Sequence, residues 1–367
     1  MKLLITTGLF PPDIGGPATY SKILAEELSI RGVRVAVLSF GLVRKLPRFI
    51  RHLVYFFKVL KLGRKAEVIF AQDPISVGLP SMLAAKILRK KFVLKIVGDY
   101  AWEQGVQRFG IKELLDIFLL KKDYPWQVKL LRWTEKLVAE EADKIITPSE
   151  YLRKVVMKWG VDEKKIEVVY NEVEFKTAAP IKHDNERWLV SVGRLVPWKG
   201  FDALIEIMPD LLKEFPDLKL KIVGGGPERD KLELEIRNYD LGNSVEMGGE
   251  LSHEKTLSFI HSADIFILNS GYEGLSHVIL EALSFGRPVL ASRSGGNSEI
   301  VVSSKTGDLF EYNDREEIKN KISSLFKTGI TNNEMLSQNG RIDFFDRFKM
   351  DNMIFRTKEL LEKVCHS

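Results

Sequence analysis

Short apolar runs alternate with longer amphipathic stretches along almost all of the 367 residues. The runs are rich in β-branched residues and mostly bounded by Gly, Pro or Asp, as strands buried on both faces of a sheet are. Because the intervening segments have helix length, the alternation predicts parallel sheets with right-handed crossovers. We therefore predict an α/β fold with strands at 3–7, 33–40, 68–72, 92–97, 144–147 and 167–170, and again at 188–192, 218–223, 244–247, 265–269 and 288–291.

The alternation occurs twice, which agrees with the two domains expected for a chain of this length. A polar segment at 171–187, which contains Ala-Ala-Pro, separates the two series and is interpreted as a linker. We predict a first domain at 1–172 and a second at 173–344, with a helix near 344–364 that packs back on the first domain. Open α/β sheets bind ligands at the carboxyl ends of their strands, so a cleft between two such ends is the expected site.

Composition excludes several classes of protein. Cys365 is the only cysteine, so neither an internal disulfide nor a cysteine-based zinc site can form. No His-Glu-x-x-His pair and no apolar run of 18 residues occur. The apolar N-terminus is short, is interrupted by two prolines and lacks a cleavage site, so it is predicted to be a strand rather than a signal peptide. We expect a cytoplasmic protein, either free or peripheral at the inner face of the membrane.

Charge is distributed unevenly between the two halves. Residues 1–180 contain 31 Lys and Arg against 20 Asp and Glu, whereas the remainder contains 24 against 30. The basic half is expected to meet an anionic partner, which could be nucleic acid, a membrane or a substrate.

The sharpest basic feature is the segment 44–65, which holds eight Lys and Arg and no acid. As a helix it would group basic and aromatic side chains on one face, namely Arg48, Arg51, His52, Tyr55 and Lys58. An anionic membrane surface and a core-packed helix with a solvated cationic face are both compatible with this pattern.

Two loops after predicted strands could hold an anion. Gly15 and Gly16 precede a predicted helix, whose N-terminus favours negative charge, although such a pair is also common in turns. Arg194 and Lys199 follow the strand 188–192 and suit a diphosphate, the alternative being two solvated cations. A third loop resembles a dinucleotide-binding turn, with Gly224 and Gly226 after a strand, but Arg229 stands where that motif needs a third glycine.

The most informative loop follows the strand 265–269. Glu273 lies in it between glycines, and Glu281 lies in the helix that follows. The amides of Leu275, Ser276 and His277 are predicted to begin that helix, where they could bind phosphate. An ordinary amphipathic helix with a solvated Glu281 is the alternative.

Glu273 and Glu281 have the spacing of the E-x7-E signature, and the chain resembles retaining glycosyltransferases of family 4, which have the GT-B fold. The resemblance covers nearly the whole chain in order. It includes Gly15-Gly16, Ala71-Gln-Asp-Pro74, Ile146-Thr-Pro-Ser149, Gly193-Arg-Leu195, Lys199-Gly200, Gly224-Gly-Gly-Pro227, Glu273 to Glu281, and Gly295-Gly-Asn-Ser-Glu299. It implies two Rossmann-like domains that face each other across a cleft.

The resemblance also implies roles for individual residues. Arg194 and Lys199 would hold the donor diphosphate, with further phosphate contacts from Gly16 and the amides after Glu273. Glu273 would bind the donor sugar, Glu281 the nucleotide ribose, and the backbone at Gly249 and Glu250 the base. The family often has a histidine after the fourth strand, and Asp99 is our predicted substitute for it. The usual Asn-Gly near the linker is Asn171-Glu172 here, and Ser298 replaces the usual proline before Glu299.

The resemblance implies a UDP- or GDP-linked sugar donor, no separate cofactor, and a lipid-linked or glycan acceptor. The chain contains no Asp-x-Asp, so no metal site is expected. The alternatives are another GT-B enzyme, of phosphorylase or epimerase type, and a basic nucleic-acid-binding protein. A phosphorylase would need a cofactor lysine and a longer chain, and no helix-turn-helix, RRM or zinc motif supports nucleic-acid binding.

Overall fold

The structure is a computed structural model and describes residues 1–13, 16–172, 178–183, 185–302, 307–328 and 346–366. The chain divides into two compact units, Met1–Glu172 with Arg347–Ser367, and Val173–Asp346. Each unit is built on one sheet of six parallel strands, as the alternation of apolar and amphipathic segments predicts.

The first unit has the strand order β2-β1-β3-β4-β5-β6. Its strands are β1 (Lys2–Thr7), β2 (Arg34–Ser39), β3 (Val68–Ala71), β4 (Lys91–Lys95), β5 (Lys144–Thr147) and β6 (Ile166–Val168). The helices between them are α1 (Gly16–Ile30), α2 (Arg48–Gly63), α3 (Leu79–Leu88), α4 (Tyr100–Arg108), α5 (Leu115–Leu120), α6 (Trp126–Glu140) and α7 (Glu150–Lys158). Helices α2, α3 and α6 contribute to the core on one side of the sheet, and α1 to the core on the other side.

The second unit has the strand order β12-β11-β10-β7-β8-β9. Its strands are β7 (Arg187–Val192), β8 (Leu218–Val223), β9 (Val245–Gly249), β10 (Ile265–Leu268), β11 (Val289–Ser292) and β12 (Asp308–Phe310). The helices are α8 (Phe201–Glu206), α9 (Met208–Glu214), α10 (Arg229–Asn238), α11 (His253–Ser262), α12 (His277–Ser284), α13 (Asn297–Ile300) and α14 (Arg315–Thr328). Strand β12 was not predicted, because its three residues are too short to show a pattern.

The last helix, α15 (Met350–His366), belongs to the first unit, as predicted. Its buried face packs with α1 and with the side of the sheet opposite α2. The residues of this contact are apolar side chains on both helices: Leu24, Leu28, Met353, Ile354, Leu361 and Val364. The unit therefore has helices on both faces, as a fully buried parallel sheet requires.

The polarity predicted for the basic helix α2 is wrong at Tyr55, although Lys58 of the same predicted face is exposed. Tyr55 is fully buried, because its hydroxyl donates to the Leu38 carbonyl at 2.8 Å and its ring packs against Phe40. Arg51 lies over the same Phe40 ring at 5.6 Å. The side that faces solvent is instead largely apolar, with Ile50, Leu53 and Phe57 between 51% and 58% exposed. A tyrosine that finds a buried acceptor thus turns inward part of the face that the sequence groups as polar.

Candidate active site

Three loops at the carboxyl edge of the second sheet are joined through their backbones. The amide of Leu195 donates to the Gly225 carbonyl, and that of Gly224 to the Gly249 carbonyl, both at 2.9 Å. Gly224 has a φ of +145°, and a Cβ there would lie 1.9 Å from the Gly193 oxygen. The glycine-rich loop is therefore needed for close packing of one loop on another, which agrees with the argument from Arg229 against a dinucleotide turn.

Strand order reverses between β7 and β10, which are neighbours in the sheet although β8 and β9 separate them in sequence. The loops after these two strands meet at such a switch point, where open α/β sheets bind ligands. Lys199 ends a short turn, Pro197–Lys199, in the first loop, and Glu273 lies in the second. Their side chains form an ion pair and are only 14% and 13% exposed.

Asn269 fixes the spacing of these two loops. It is fully buried and donates to the Gly200 carbonyl at 2.8 Å and to Asn313 Oδ1 at 2.7 Å. Its own side-chain oxygen accepts from the Asn313 amide at 3.0 Å, and Gly271 N donates to the Trp198 carbonyl at 2.6 Å. The position of Lys199 beside Glu273 therefore follows from backbone contacts on either side.

The loop of Glu273 rests on the loop that follows β11. The amide of Gly296 donates to the Glu273 carbonyl at 2.9 Å. Gly295 has a φ of +58°, and a Cβ there would lie 2.0 Å from the same carbonyl oxygen. Glycine at 295 is thus required by both backbone conformation and space. This contact explains why a Gly-Gly pair accompanies the two glutamates in the sequence.

Arg194 is exposed, and within the described ranges its side chain forms no hydrogen bond or ion pair. The loop contacts around Leu195 fix its backbone beside Lys199, so two cations are available where the strands end. An unpaired arginine can use its forked donors for phosphate oxygens without first breaking a bond in the protein.

Leu275, Ser276 and His277 lie at the start of α12, as predicted. Leu275 and Ser276 are buried and His277 is exposed, with Ser276 at the cap position. The Ser276 hydroxyl has no hydrogen-bond partner in the part of the chain that the structure describes. Amides in the first turn of a helix also lack acceptors within the helix. A phosphate oxygen could satisfy these donors.

Glu281 lies within α12 and is mostly buried, with its carboxylate 2.8 Å from Nε2 of His253 at the start of α11. This neighbour was missed, because no local pattern connects positions 253 and 281. Gly249 and Glu250 lie beside the glycine loop, where the Glu250 side chain covers Gly225. The same sheet edge, on the side of β9 and α12, is thus bordered by four residues: Gly249, Glu250, His253 and Glu281.

The remaining predicted residues belong to the first unit or lie outside the described residues. Gly15 is outside them. Gly16 opens α1, and a Cβ there would meet no atom within 4 Å, so the space beside it is open.

Among the described residues, no group of three His, Cys, Asp or Glu side chains could hold a metal ion. No described helix is both long and apolar enough to span a membrane.

Asp99, which the sequence predicts to be catalytic, caps the start of α4 in the structure. It is 1% exposed and accepts from the Trp102 amide at 2.8 Å and from Trp159 Nε1 at 3.1 Å. Buried Glu135 accepts from the amides of Tyr100 and Ala101 at the same helix end. Burial raises the pKa of Asp99 to about 6 and raises that of Glu135 well above its usual value. In this arrangement the carboxyl group of Asp99 is enclosed by the start of α4, by Trp159 and by Glu135.

Two families match the chain, one for each half. Residues 14–176 match Glycosyltransferase Family 4, and residues 173–343 match Glycosyl transferases group 1. Together they span almost all of the chain from the first glycine loop to the segment before α15.

Individual relatives agree with these two family matches. An uncharacterized glycosyltransferase of Methanocaldococcus jannaschii is 28% identical over 63% of this chain and 61% of the relative. A GDP-mannose-dependent alpha-(1-6)-phosphatidylinositol monomannoside mannosyltransferase of Mycolicibacterium smegmatis is 35% identical over 37% of this chain and 38% of that protein. The crystal structure of Anabaena HepE in complex with UDP-glucose has a similar fold, with a TM-score of 0.76 and 19% identity over 99% of this chain and 100% of that one.

The cap at Asp99 predicts a pH-dependent stability. Because its pKa is raised to about 6, the folded state keeps a proton that the unfolded state loses above pH ~4, so stability falls as pH rises through this window. The free energy of unfolding that is lost between pH ~4.5 and ~7.5 should be smaller in Asp99→Asn than in the unaltered protein, by about 2 kcal/mol. Calorimetric melting at both pH values measures the difference, with exposed Asp123→Asn as control. Equal pH dependence in all three proteins would contradict the buried cap.

A substitution at Gly295 should reduce activity, although Gly295 has no proposed contact with substrate. Gly295→Ala should displace the Glu273 carbonyl and cost roughly 1–3 kcal/mol of backbone strain, with turnover reduced accordingly. Gly242→Ala is the matched control, since a Cβ there meets no atom within 4 Å. Melting temperature and turnover are measured together. A Gly295→Ala enzyme as active and as stable as the control would show that this contact does not position Glu273.

Proposed function

We propose, from the premise that the chain belongs to the family 4 glycosyltransferases of GT-B fold, that it transfers a hexose from a nucleoside diphosphate sugar to a lipid-linked or glycan acceptor with retention of configuration. The observation that carries the proposal is the contact of Lys199 with Glu273 at the switch point of the second sheet, in the loop that also holds exposed Arg194. Two cations, the donors at the start of a helix and a carboxylate are the groups that a charged sugar donor needs in one place.

Each group has a distinct role in this proposal. Arg194, Lys199 and the donors at Ser276 bind the diphosphate. Glu273 accepts hydrogen bonds from the sugar hydroxyls once the diphosphate draws Lys199 away from it. Glu281, which His253 orients, binds the ribose, and the backbone at Gly249 and Glu250 meets the base. The ion pair keeps the two charged side chains compensated before the donor binds, since an unpaired buried charge would be costly.

The chemistry follows from the charges that develop. The bond between the anomeric carbon and the diphosphate oxygen breaks, so positive charge grows on the sugar and negative charge on the leaving group. Fixed cations and amide donors stabilise that negative charge without reorganisation. The acceptor hydroxyl then bonds to the anomeric carbon on the face that the diphosphate leaves, and its proton passes to the departing phosphate oxygen. Side chains and amides of the chain take the place of a divalent metal in this proposal.

The donor is proposed to be UDP- or GDP-linked. One relative was crystallised with UDP-glucose, and another is named as GDP-mannose-dependent. Thermal melting with UDP-, GDP- and ADP-sugars separates these donors, because a ligand that binds only the folded state raises its stability.

An acceptor at the cytoplasmic face of an anionic membrane is the proposed second substrate, with residues 44–65 as the membrane contact. The corrected polarity of α2 supports this contact, because Ile50, Leu53 and Phe57 form an exposed stripe beside exposed Lys58 and Lys61. Apolar side chains flanked by cations are suited to the interface of an anionic bilayer. The name of the M. smegmatis relative includes phosphatidylinositol monomannoside, which is a glycolipid.

Arg194 and Glu281 should differ in their kinetic effects. Arg194→Ala removes a contact that strengthens as the leaving group gains charge, and one such contact is worth about 3 kcal/mol, so turnover should fall roughly 100-fold. Glu281→Ala removes a contact present throughout the reaction, so donor affinity should fall with little change in turnover. Steady-state kinetics with the best donor of the panel, with Arg237→Ala as an exposed control, tests both. Unchanged turnover in Arg194→Ala would place the diphosphate elsewhere.

The exposed stripe of α2 should govern membrane binding. Leu53→Gln with Phe57→Gln removes apolar surface that would enter the bilayer, and burial of such side chains is worth roughly 1.5–3 kcal/mol each, so vesicle affinity should fall at least tenfold. Flotation with anionic vesicles measures the loss. Ile30→Gln with Phe355→Gln is the control, because both residues are at least 65% exposed but lie on α1 and α15. The membrane proposal fails if the unaltered protein does not float or if both double variants float equally.

A further inference from the structure

A second basic site lies at the opposite edge of the first sheet from the carboxyl ends of its strands. A pocket of about 640 Å³ opens there, beside the first residues of β1 and β2 and the ends of α2 and α3. Five cations line it, namely Lys2, Arg34, Arg64, Lys65 and Lys90. Pockets of this size accept small-molecule ligands.

The sheet itself brings these cations together. Lys2 of β1 pairs in register with Arg34 of β2, so these two residues begin neighbouring strands side by side. Arg64 and Lys65 directly follow the end of α2, and Lys90 lies two residues beyond the end of α3. Residues distant in sequence therefore converge on one concave surface, which the distribution of charge along the chain does not reveal.

The positive charge of this pocket is mostly uncompensated. None of the five cationic side chains forms a hydrogen bond or ion pair within the described ranges. Glu67 is the one acid in the lining, and it accepts from the backbone amide of Lys2 at 2.6 Å. That hydrogen bond, followed by the charges nearby, lowers the pKa of Glu67. Like charges that line one pocket repel one another unless an anion binds among them.

Helix ends account for only part of the cluster. Arg64, Lys65 and Lys90 follow helices whose C-terminal carbonyls favour positive charge. Lys2 and Arg34 begin strands, and sheets have only a small net dipole. Apolar residues complete the lining, among them Leu62, which continues the exposed side of α2. The lining thus offers forked and point-like cations above a small apolar surface.

We propose that this pocket binds a phosphate-bearing anion with a small carbon skeleton, separate from the donor diphosphate of the second unit. Two arginines can each grip phosphate oxygens through two donors, and three lysines add point charges. The phosphate could belong to a lipid headgroup or to a soluble compound, and both sources present the same chemistry to these side chains.

The test uses the full chain and separates the pocket from the donor site. Arg194→Ala with Lys199→Ala removes the donor cations, and inorganic pyrophosphate is then titrated calorimetrically at low salt. Adding Arg34→Gln, Arg64→Gln and Lys65→Gln should weaken the remaining binding at least about tenfold, because hydrogen bonds to charged groups are the strong ones. Lys22→Gln, Lys154→Gln and Lys363→Gln form the control, which changes net charge equally but leaves the pocket intact.

A second arm identifies the source of the phosphate. Both triple variants, in the otherwise unaltered chain, are floated with phosphatidylcholine vesicles that do or do not contain phosphatidic acid. A pocket-specific loss with phosphatidic acid indicates a lipid headgroup, and a pocket-specific loss with pyrophosphate alone indicates a soluble ligand. Without any anion, the pocket variant should melt above the control, since repulsion is relieved, which also shows that it folds. If both triple variants behave alike in the titration and in flotation, the proposal is overturned.

Discussion

The buried side chain of Asn269 holds together the part of the second unit on which its chemistry depends. Its amide group spans the loop after β7, through the Gly200 carbonyl, and the turn at Asn313, and all its bonds lie between 2.7 and 3.0 Å. Because β7 and β10 are neighbours at the switch point of the sheet, these bonds set the distance between Lys199 and Glu273. Opposite charges lie close together there because these hydrogen bonds join the two loops.

Glycines make the rest of this arrangement possible. The loops after β7, β8 and β10 pack against neighbouring backbones at Gly224 and Gly295, where a side chain would occupy the space of a carbonyl oxygen. Removing side chains from these contacts lets Arg194, Glu273 and the start of α12 border one sheet edge. The first unit uses its strand ends differently. Asp99, with Glu135, closes the start of a helix there and is shielded from water, so the two sheets share an architecture but not a distribution of reactive groups.

Much of the fold and part of the site could be predicted from the sequence. Eleven of the strands are predicted from apolar runs in the sequence. The loops of Arg194, Lys199 and Glu273 can be recognised because they follow such runs. Strand β12 has only three residues and gives no period. The pair of Glu281 with His253 joins two helices, and the role of Asp99 depends on Trp159, which is distant in sequence. Such contacts are set by tertiary packing, which local patterns do not record. Asn269 offered a weak signal, as a polar residue that ends an apolar strand.

The error in the polarity of α2 has a physical consequence beyond the helix. The sequence groups Arg48, Arg51, His52, Tyr55 and Lys58 on one polar face, yet Arg51 lies over the Phe40 ring and Tyr55 is buried. The outward side is therefore apolar in its middle, at Leu53 and Phe57, and cationic towards its end. An amphiphile with an apolar part and an anionic group would be complementary to this side of α2. The exposed cations Lys58 and Lys61 of α2, and Arg64 and Lys65 directly after it, are thus close in sequence to this apolar surface.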